Sequence, residues 1–317
     1  MKNLTQRLRP VAGGLFIFSL FQAFHSQTSW ACACGCGVFD VGTSAMFPTE
    51  SGNMAFFEYD YMDQSNNWSG TNKAPAEANN DKEIRTHFLT FGDQFMFDRS
   101  HGLQLEVPVT FRYFRTLDSD EVSIDTFNHA ALGDIRLRGI YTGFSSDMST
   151  GITYGVKLPT GDSTYEGFDP DTEIGSGSTD LLLGAFHYGP ITDNGLWNYF
   201  AQINLDEPIF TQHGYFPGSE IDAAAGAYYN GLKFDGAAKL APILQLLTSL
   251  RSSDHGGNPA ADPLNTGYQR VFISPGVELD AGAFRFYTDV EIPIYQYMNG
   301  NQLVAPGMVK TILSYSF

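Results

Sequence analysis

The sequence predicts an all-β fold: a transmembrane, antiparallel, up-and-down β-barrel of about twelve strands. Three observations carry that prediction. From residue 52 onward the chain repeats one unit, about ten residues of alternating polarity and then a turn, the length of a tilted membrane strand. The alternating sets are polar with charges of both signs on one side and apolar on the other, which suits water inside and lipid outside. Short turns also alternate with longer polar loops. Charged residues make up only 17% of the chain while Phe (26), Tyr (16) and Gly (33) are abundant, and together these favour strands over a helical bundle.

The strands are expected at about 53–63, 83–97, 102–113, 133–144, 150–159, 179–189, 196–206, 221–231, 236–249, 268–280, 283–296 and 307–317. In the third, Leu103, Leu105, Val107, Val109 and Phe111 oppose Gln104, Glu106, Thr110 and Arg112. In the seventh, Trp197, Tyr199, Ala201, Ile203 and Leu205 oppose Asn198, Gln202, Asn204 and Asp206. In the eleventh, Phe284, Phe286, Val290, Ile292 and Ile294 oppose Arg285, Tyr287, Asp289 and Glu291. The second and ninth alternate poorly. Pro108, Pro242, Pro275 and Pro293 fall inside strands, where each removes a ladder donor, so bulges are expected there.

Short turns are expected at 98–101, 145–149, 192–195, 233–235 and 281–282, and longer loops at 64–82, 116–130, 160–178, 207–219, 250–267 and 297–305. This places both ends of the barrel on the short-turn side, which in a membrane barrel is the periplasmic side. Aromatic residues near strand ends, such as Tyr59, Tyr61, Phe95, Phe97, Tyr295 and Tyr297, would sit at the two headgroup levels. The last strand, 306–317, ends on Phe317 with apolar residues at alternate positions, and resembles the closing strand of bacterial outer-membrane barrels. That resemblance implies a segment read by the barrel-assembly machinery.

The amino terminus has the form of an export signal over residues 1–31. Lys2, Arg7 and Arg9 precede an uncharged apolar run at 11–24, and Ser29-Trp30-Ala31 offers small residues for cleavage at Ala31 or Ala33. Formal charge is −17, and loss of those three cations makes the exported chain more acidic still. An acidic chain excludes nucleic acid as a partner. Residues 32–51 form a Cys-rich periplasmic segment ahead of the barrel at 52–317, whose irregular part, 38–51, could equally tuck into the barrel mouth. Its Cys32, Cys34 and Cys36 are the only cysteines of the chain. Period two places three thiols on one side of an extended segment, a set suited to Cu(I) or Zn(II), to redox exchange with a periplasmic partner, or to lipidation at Cys32. Outside those cysteines no cofactor is indicated.

One pair of motifs stands apart. Lys157-Leu158-Pro159-Thr160-Gly161-Asp162 ends the fifth strand, and Gly175-Ser176-Gly177-Ser178-Thr179-Asp180 leads into Leu181-Leu182-Leu183-Gly184. Pro and Gly there break the strand sharply at the rim. This arrangement resembles the transporter-like outer-membrane barrels of the meta-pathway phenol-degradation family. The resemblance implies an outer-membrane protein admitting small, often aromatic, compounds. Asp162, Asp169, Asp171, Glu173 and Asp180 are dense enough for Ca²⁺, although their spacing matches no EF-hand loop.

Enzymatic candidates are few. Asn128 with His129, and His187, have no local motif placing a serine beside them, so a non-enzymatic protein is expected, with an outer-membrane hydrolase as the remote alternative. The leading function is a channel for small solutes. Its lumen candidates are Glu106, Arg112, Arg136, Arg138, Lys157, Glu278, Arg285, Asp289, Glu291 and Lys310. A basic wall of Arg136, Arg138 and Lys157 facing an acidic wall of Glu278, Asp289 and Glu291 would set a field across the pore. The alternative function is a barrel that anchors the cysteine cluster for a metal or redox partner.

Overall fold

The computed structural model describes residues 39, 41–42, 47–48, 52–118, 122–234, 238–258 and 261–317. The export signal and Cys32, Cys34 and Cys36 lie outside the described residues. Twelve strands make the wall: β1 (Met54–Gln64), β2 (Asp81–Met96), β3 (His101–Leu117), β4 (Ile135–Tyr141), β5 (Thr150–Leu158), β6 (Ser178–Pro190), β7 (Trp197–Thr211), β8 (Glu220–Tyr229), β9 (Lys239–Arg251), β10 (Tyr268–Ala281), β11 (Phe284–Val304) and β12 (Met308–Ser316). Each pairs antiparallel with the next, and β12 closes on β1 from Met54↔Ser316 to Met62↔Met308. The barrel therefore has no free edge. Among the described residues no helix is long and apolar enough to cross a membrane.

Polarity along the wall is inside-out. Glu291 and Lys310 are 0% and 1% exposed, whereas Ile294 and Leu313 are 57% and 46% exposed. An apolar belt of this kind is costly in water and favourable against lipid tails. The closing strand follows the same rule: Met308, Lys310, Ile312 and Ser314 are buried, and Leu313, Tyr315 and Phe317 point out.

The prolines are accommodated by open ladder positions. Pro293 lies at the register shift of the β10–β11 pair, and Pro275 falls in the gap between the pairs Ile273↔Ile292 and Gly276↔Asp289. Pro242 lies past the end of the β8–β9 pairing, whose last pair is Tyr228↔Ile243. Pro108 stands where the partner of β3 changes, and its carbonyl accepts the Gly133 N–H at 2.8 Å.

Two loop expectations are corrected. The stretch expected as a loop over 116–130 contains a strand, Ile124–Leu132, which pairs with the outer part of β3 before Gly133 and Asp134 interrupt the ladder. The loop expected at 297–305 is the outer end of β11, which runs to Val304 and pairs with the short strand Asn66–Gly70. Only residues 305–307 then connect β11 to β12.

The described residues before β1 occupy the lumen. Phe39, Val41 and Phe47 are buried in one apolar cluster with Phe186, Phe200, Leu247, Phe272 and Ile312. Phe47 stacks on Phe186 at 4.8 Å between ring centres. This explains the poor alternation of β9: its inward Ile243 and Leu247 are apolar because they meet this segment rather than water. Gly42 is required where it stands, with φ +99° and a Cβ position only 2.8 Å from Leu247 Cδ2.

Candidate functional site

Two structures bound the lumen, a plug below and a lid above. The plug hangs on wall side chains. Lys310 Nζ donates to the carbonyls of Phe39 and Val41, the latter at 2.9 Å, and the Tyr287 hydroxyl donates to the Gly42 carbonyl at 3.0 Å. Tyr188 donates to the Pro48 carbonyl at 3.2 Å. Lys310 itself stands between Asp60 on β1 and Asp289 on β11 in the ladder.

The lid is the connection between β5 and β6, residues 159–177, where the two motifs lie. Arg112, on the inner face of β3, donates to the carbonyls of Thr172 and Glu173, the second at 2.8 Å. Asp134 takes three bonds from the same loop. Its Oδ1 accepts Gly161 N–H at 2.9 Å, and its Oδ2 accepts the N–H and hydroxyl of Ser176 at 2.8 and 2.6 Å. Gly161 and Gly175 touch backbone to backbone there: a Cβ on Gly175 would lie 2.4 Å from the Gly161 carbonyl carbon. The motif glycines thus permit the two ends of the lid to cross. Outside this crossing, the Tyr165 ring stacks on His129 at 3.8 Å, His129 Nε2 meets Asp162 at 3.0 Å, and Phe168 packs edge-on against Phe114. A second loop leans in beside the lid, where Asp254 accepts Gly218 N–H at 2.7 Å and pairs with Arg251 at 2.6 Å.

Between lid and plug lies a cavity of about 220 Å³, and a smaller one of about 90 Å³ continues below it. Phe39 lines both and so divides them. Most of the charged wall residues expected in the lumen are already paired. Glu106 holds Arg138 at 2.6 Å and lies 3.8 Å from Arg136. Lys157 bridges Asp180 and Asp206, the latter at 2.8 Å, and Arg285 lies 3.6 Å from Glu278. Glu291 and Asp289 are buried near the plug, with neither Glu291 oxygen hydrogen-bonded. Arg136, Arg138, Lys157 and Arg285 thus meet acids one or two strands away along the wall, rather than acids across the lumen.

The sequence reading missed Asp134 and the role of Arg112 as a latch. The available signal was Gly133-Asp134, a turn-like pair inside a stretch expected to be strand. The loop acids do not gather as a calcium site: among the described residues no three His, Cys, Asp or Glu side chains converge as metal ligands. Asp162 goes to His129 and Asp180 to Lys157. His187 is on the outer face, bonded to Thr150 and Tyr199 at 2.8 Å each.

Burial pushes the lid carboxyl of Glu173 up to about 8, with Asp162 adding to the rise and Arg112 opposing it. Asp134, Asp171, His213 and Tyr215 also lie around the two hollows that Glu173 borders, and the nearby Asp169 adds to the rise. With the lid open and Glu173 in water its value returns to the ordinary carboxylate range, about 4.3. The closed lid therefore binds the extra proton between those values. Closure is fully favoured below the ordinary value and weakens as pH rises through about 8. Lid opening, read as hydrogen exchange of the 160–178 amides corrected for intrinsic rate, should increase from pH 7 to 9. Glu173→Gln should flatten that dependence. A Gln variant retaining the full dependence assigns it elsewhere.

No protein-family model matches the sequence, and no curated protein does. Solved structures match the whole barrel. An outer membrane channel from Pseudomonas putida F1 aligns with TM-score 0.66 at 10% identity, covering 87% of this chain and 100% of that one. The beta domain of the Bordetella autotransporter BrkA aligns with TM-score 0.50 at 10% identity, covering 84% of this chain and 100% of that one. What these proteins share with the chain is the fold: a closed, antiparallel, twelve-stranded β-barrel of the outer-membrane type.

Proposed function

We propose that the chain is a gated outer-membrane channel for small solutes, aromatic ones included, with the short turns in the periplasm and the lid facing outward. The observation that carries this reading is the interrupted path: a lumen holding two cavities, blocked above and below only by segments held through hydrogen bonds and apolar contacts. A barrel that only anchored another segment would need neither an inward-folded lid nor a cavity beneath it. The apolar parts of the upper cavity, Phe39, Phe88, Ile174 and Tyr215, offer a surface to a ring. The inside-out wall and the fold shared with an outer membrane channel support the location.

Planar-bilayer recording tests the proposal. The native protein should pass a small, intermittent current. Asp134→Ala removes three lid bonds, each worth about 1.5–3 kcal/mol because the acceptor is charged, and should raise the open fraction at least tenfold. Silence in both proteins, each shown to be assembled by heat-modifiable migration, rejects a channel.

The cysteine cluster supports a second role. Cys32, Cys34 and Cys36 immediately precede Phe39, which is seated on Lys310 in the lumen, so a metal or redox partner engaging them would act on the plug. Titration with Cu(I) or Zn(II), with and without Cys34→Ser, tests this. Stoichiometric binding lost in the variant supports it, and equal binding removes it.

A further inference from the structure

We infer that the cavity between Phe39 and the lid takes a small organic cation, one carrying an ammonium or amidinium group. The inference rests on the channel reading above and names the solute that the channel selects.

The first observation is the charge of the lining. Eight carboxyl groups border this cavity against four cations, Arg112, Arg136, Lys157 and Arg251. Those cations are engaged: Arg112 on lid carbonyls, Arg136 beside Glu106, Lys157 between Asp180 and Asp206, Arg251 on Asp254. The excess is therefore acidic, in a low-dielectric space where a charge acts over several ångströms.

A second, independent observation points to a donor-bearing ligand. Asp60 lines the cavity and is only 2% exposed, yet its Oδ1 accepts no hydrogen bond. Its ladder neighbour Lys310 spends its ammonium on the plug carbonyls instead. Glu173 Oε2, on the roof, is likewise buried without a donor. Unfilled acceptors of this kind are costly and rare in folded proteins. An anion or a neutral hydrocarbon leaves both unfilled, whereas an ammonium supplies three N–H donors and a positive charge.

The third observation concerns shape. The Phe39 and Phe88 rings, 5.9 Å apart, and Tyr215 face the same space and can meet either a cation or the apolar part of its carrier. A bare divalent ion is disfavoured, since among the described residues no three acids converge as ligands. The acidic chain as a whole, at −17, also draws cations to the mouth.

The test compares three probes that share one ring: benzylamine, benzyl alcohol and benzoate. Their binding to the full chain, assembled and extracted in detergent, is measured by titration calorimetry in 50 and 300 mM salt at pH 8.5, where Glu173 is mostly ionised and benzylamine still carries its charge. Benzylamine should bind at least tenfold more tightly than benzyl alcohol at both salt levels, and benzoate more weakly than either. Asp60→Asn should cut the benzylamine preference several-fold. Glu173→Gln, on a surface loop that the wall does not need, should do so as well, keeping the test open if the Asn variant assembles poorly. Equal binding of benzyl alcohol, tighter binding of benzoate, or a benzylamine preference unchanged in the Glu173→Gln variant overturns the inference. Failure of the channel reading is separate. A protein that prefers benzylamine but passes no current in any variant loses only the channel, and one that conducts without amine preference loses only the cation.

Discussion

Replacing Lys310 with Met should raise the open-channel current of the reconstituted barrel by tens-fold. Lys310 donates to two plug carbonyls, those of Phe39 and Val41, and it is 1% exposed. Met keeps the length and apolar stem of the residue but donates nothing. Each lost bond carries a charge, so about 1.5–3 kcal/mol apiece is a reasonable scale. Every 1.4 kcal/mol is tenfold in the ratio of seated to unseated plug. The change also removes the cation that stands between Asp60 and Asp289 in the ladder, which pushes the same way. Lys310→Arg should behave nearly as the native chain. Combining Lys310→Met with Asp289→Asn separates the lost plug bonds from the exposed acid. The open probability in planar bilayers decides. If Lys310→Met assembles normally and conducts like the native protein, the plug is held by its apolar contacts, chiefly Phe47 on Phe186, and Lys310 is not its latch.

The contrast between what could and could not be read from the sequence follows from where lipid and water act. Within the bilayer each strand has lipid on one face and the lumen on the other, so polarity reports facing directly. Glu106, Arg112, Arg138, Asp289, Glu291 and Lys310 are buried for this reason, and Leu105 and Ile292 are exposed. Beyond the bilayer both faces meet water and that code fails. Ile124–Leu132 turns Thr126 and Asn128 outward, and the outer end of β11 reads as a polar loop although it pairs with Asn66–Gly70. For another reason, the plug was legible only as one of two equal placements for residues 38–51. A segment that threads the lumen has no period, and its cues, Gly42 and Pro48, equally fit a loose connection. Contacts such as Asp134 with Ser176 or Arg112 with Thr172 join residues far apart in the chain, and no local pattern announces them.

The Lys157 cluster should dominate the stability of the wall. Lys157 on β5 lies opposite Asp180 on β6 and also reaches Asp206 on β7, tying three consecutive strands through one ammonium. Asp180 is 0% exposed, so its charge has little solvent to fall back on. Lys157→Ala leaves two carboxylates close together in a buried setting without a cation. Breaking a buried pair from one side typically costs about 3–5 kcal/mol, and a surface pair at most about 1. Unfolding in urea from detergent or vesicles, followed by Trp fluorescence, should therefore show a loss on the larger scale, with a lower yield of heat-modifiable barrel. The rescue is diagnostic. Adding Asp180→Asn and Asp206→Asn to Lys157→Ala removes both orphaned charges and should recover most of the loss, since the remaining amides can bond each other. Salt should matter little, because a pair shielded from water is weakly screened. A loss below about 1 kcal/mol for Lys157→Ala, as for a solvated surface pair, would mean that the cavity beside it keeps these acids hydrated, and the cluster would then serve the passing solute rather than the wall.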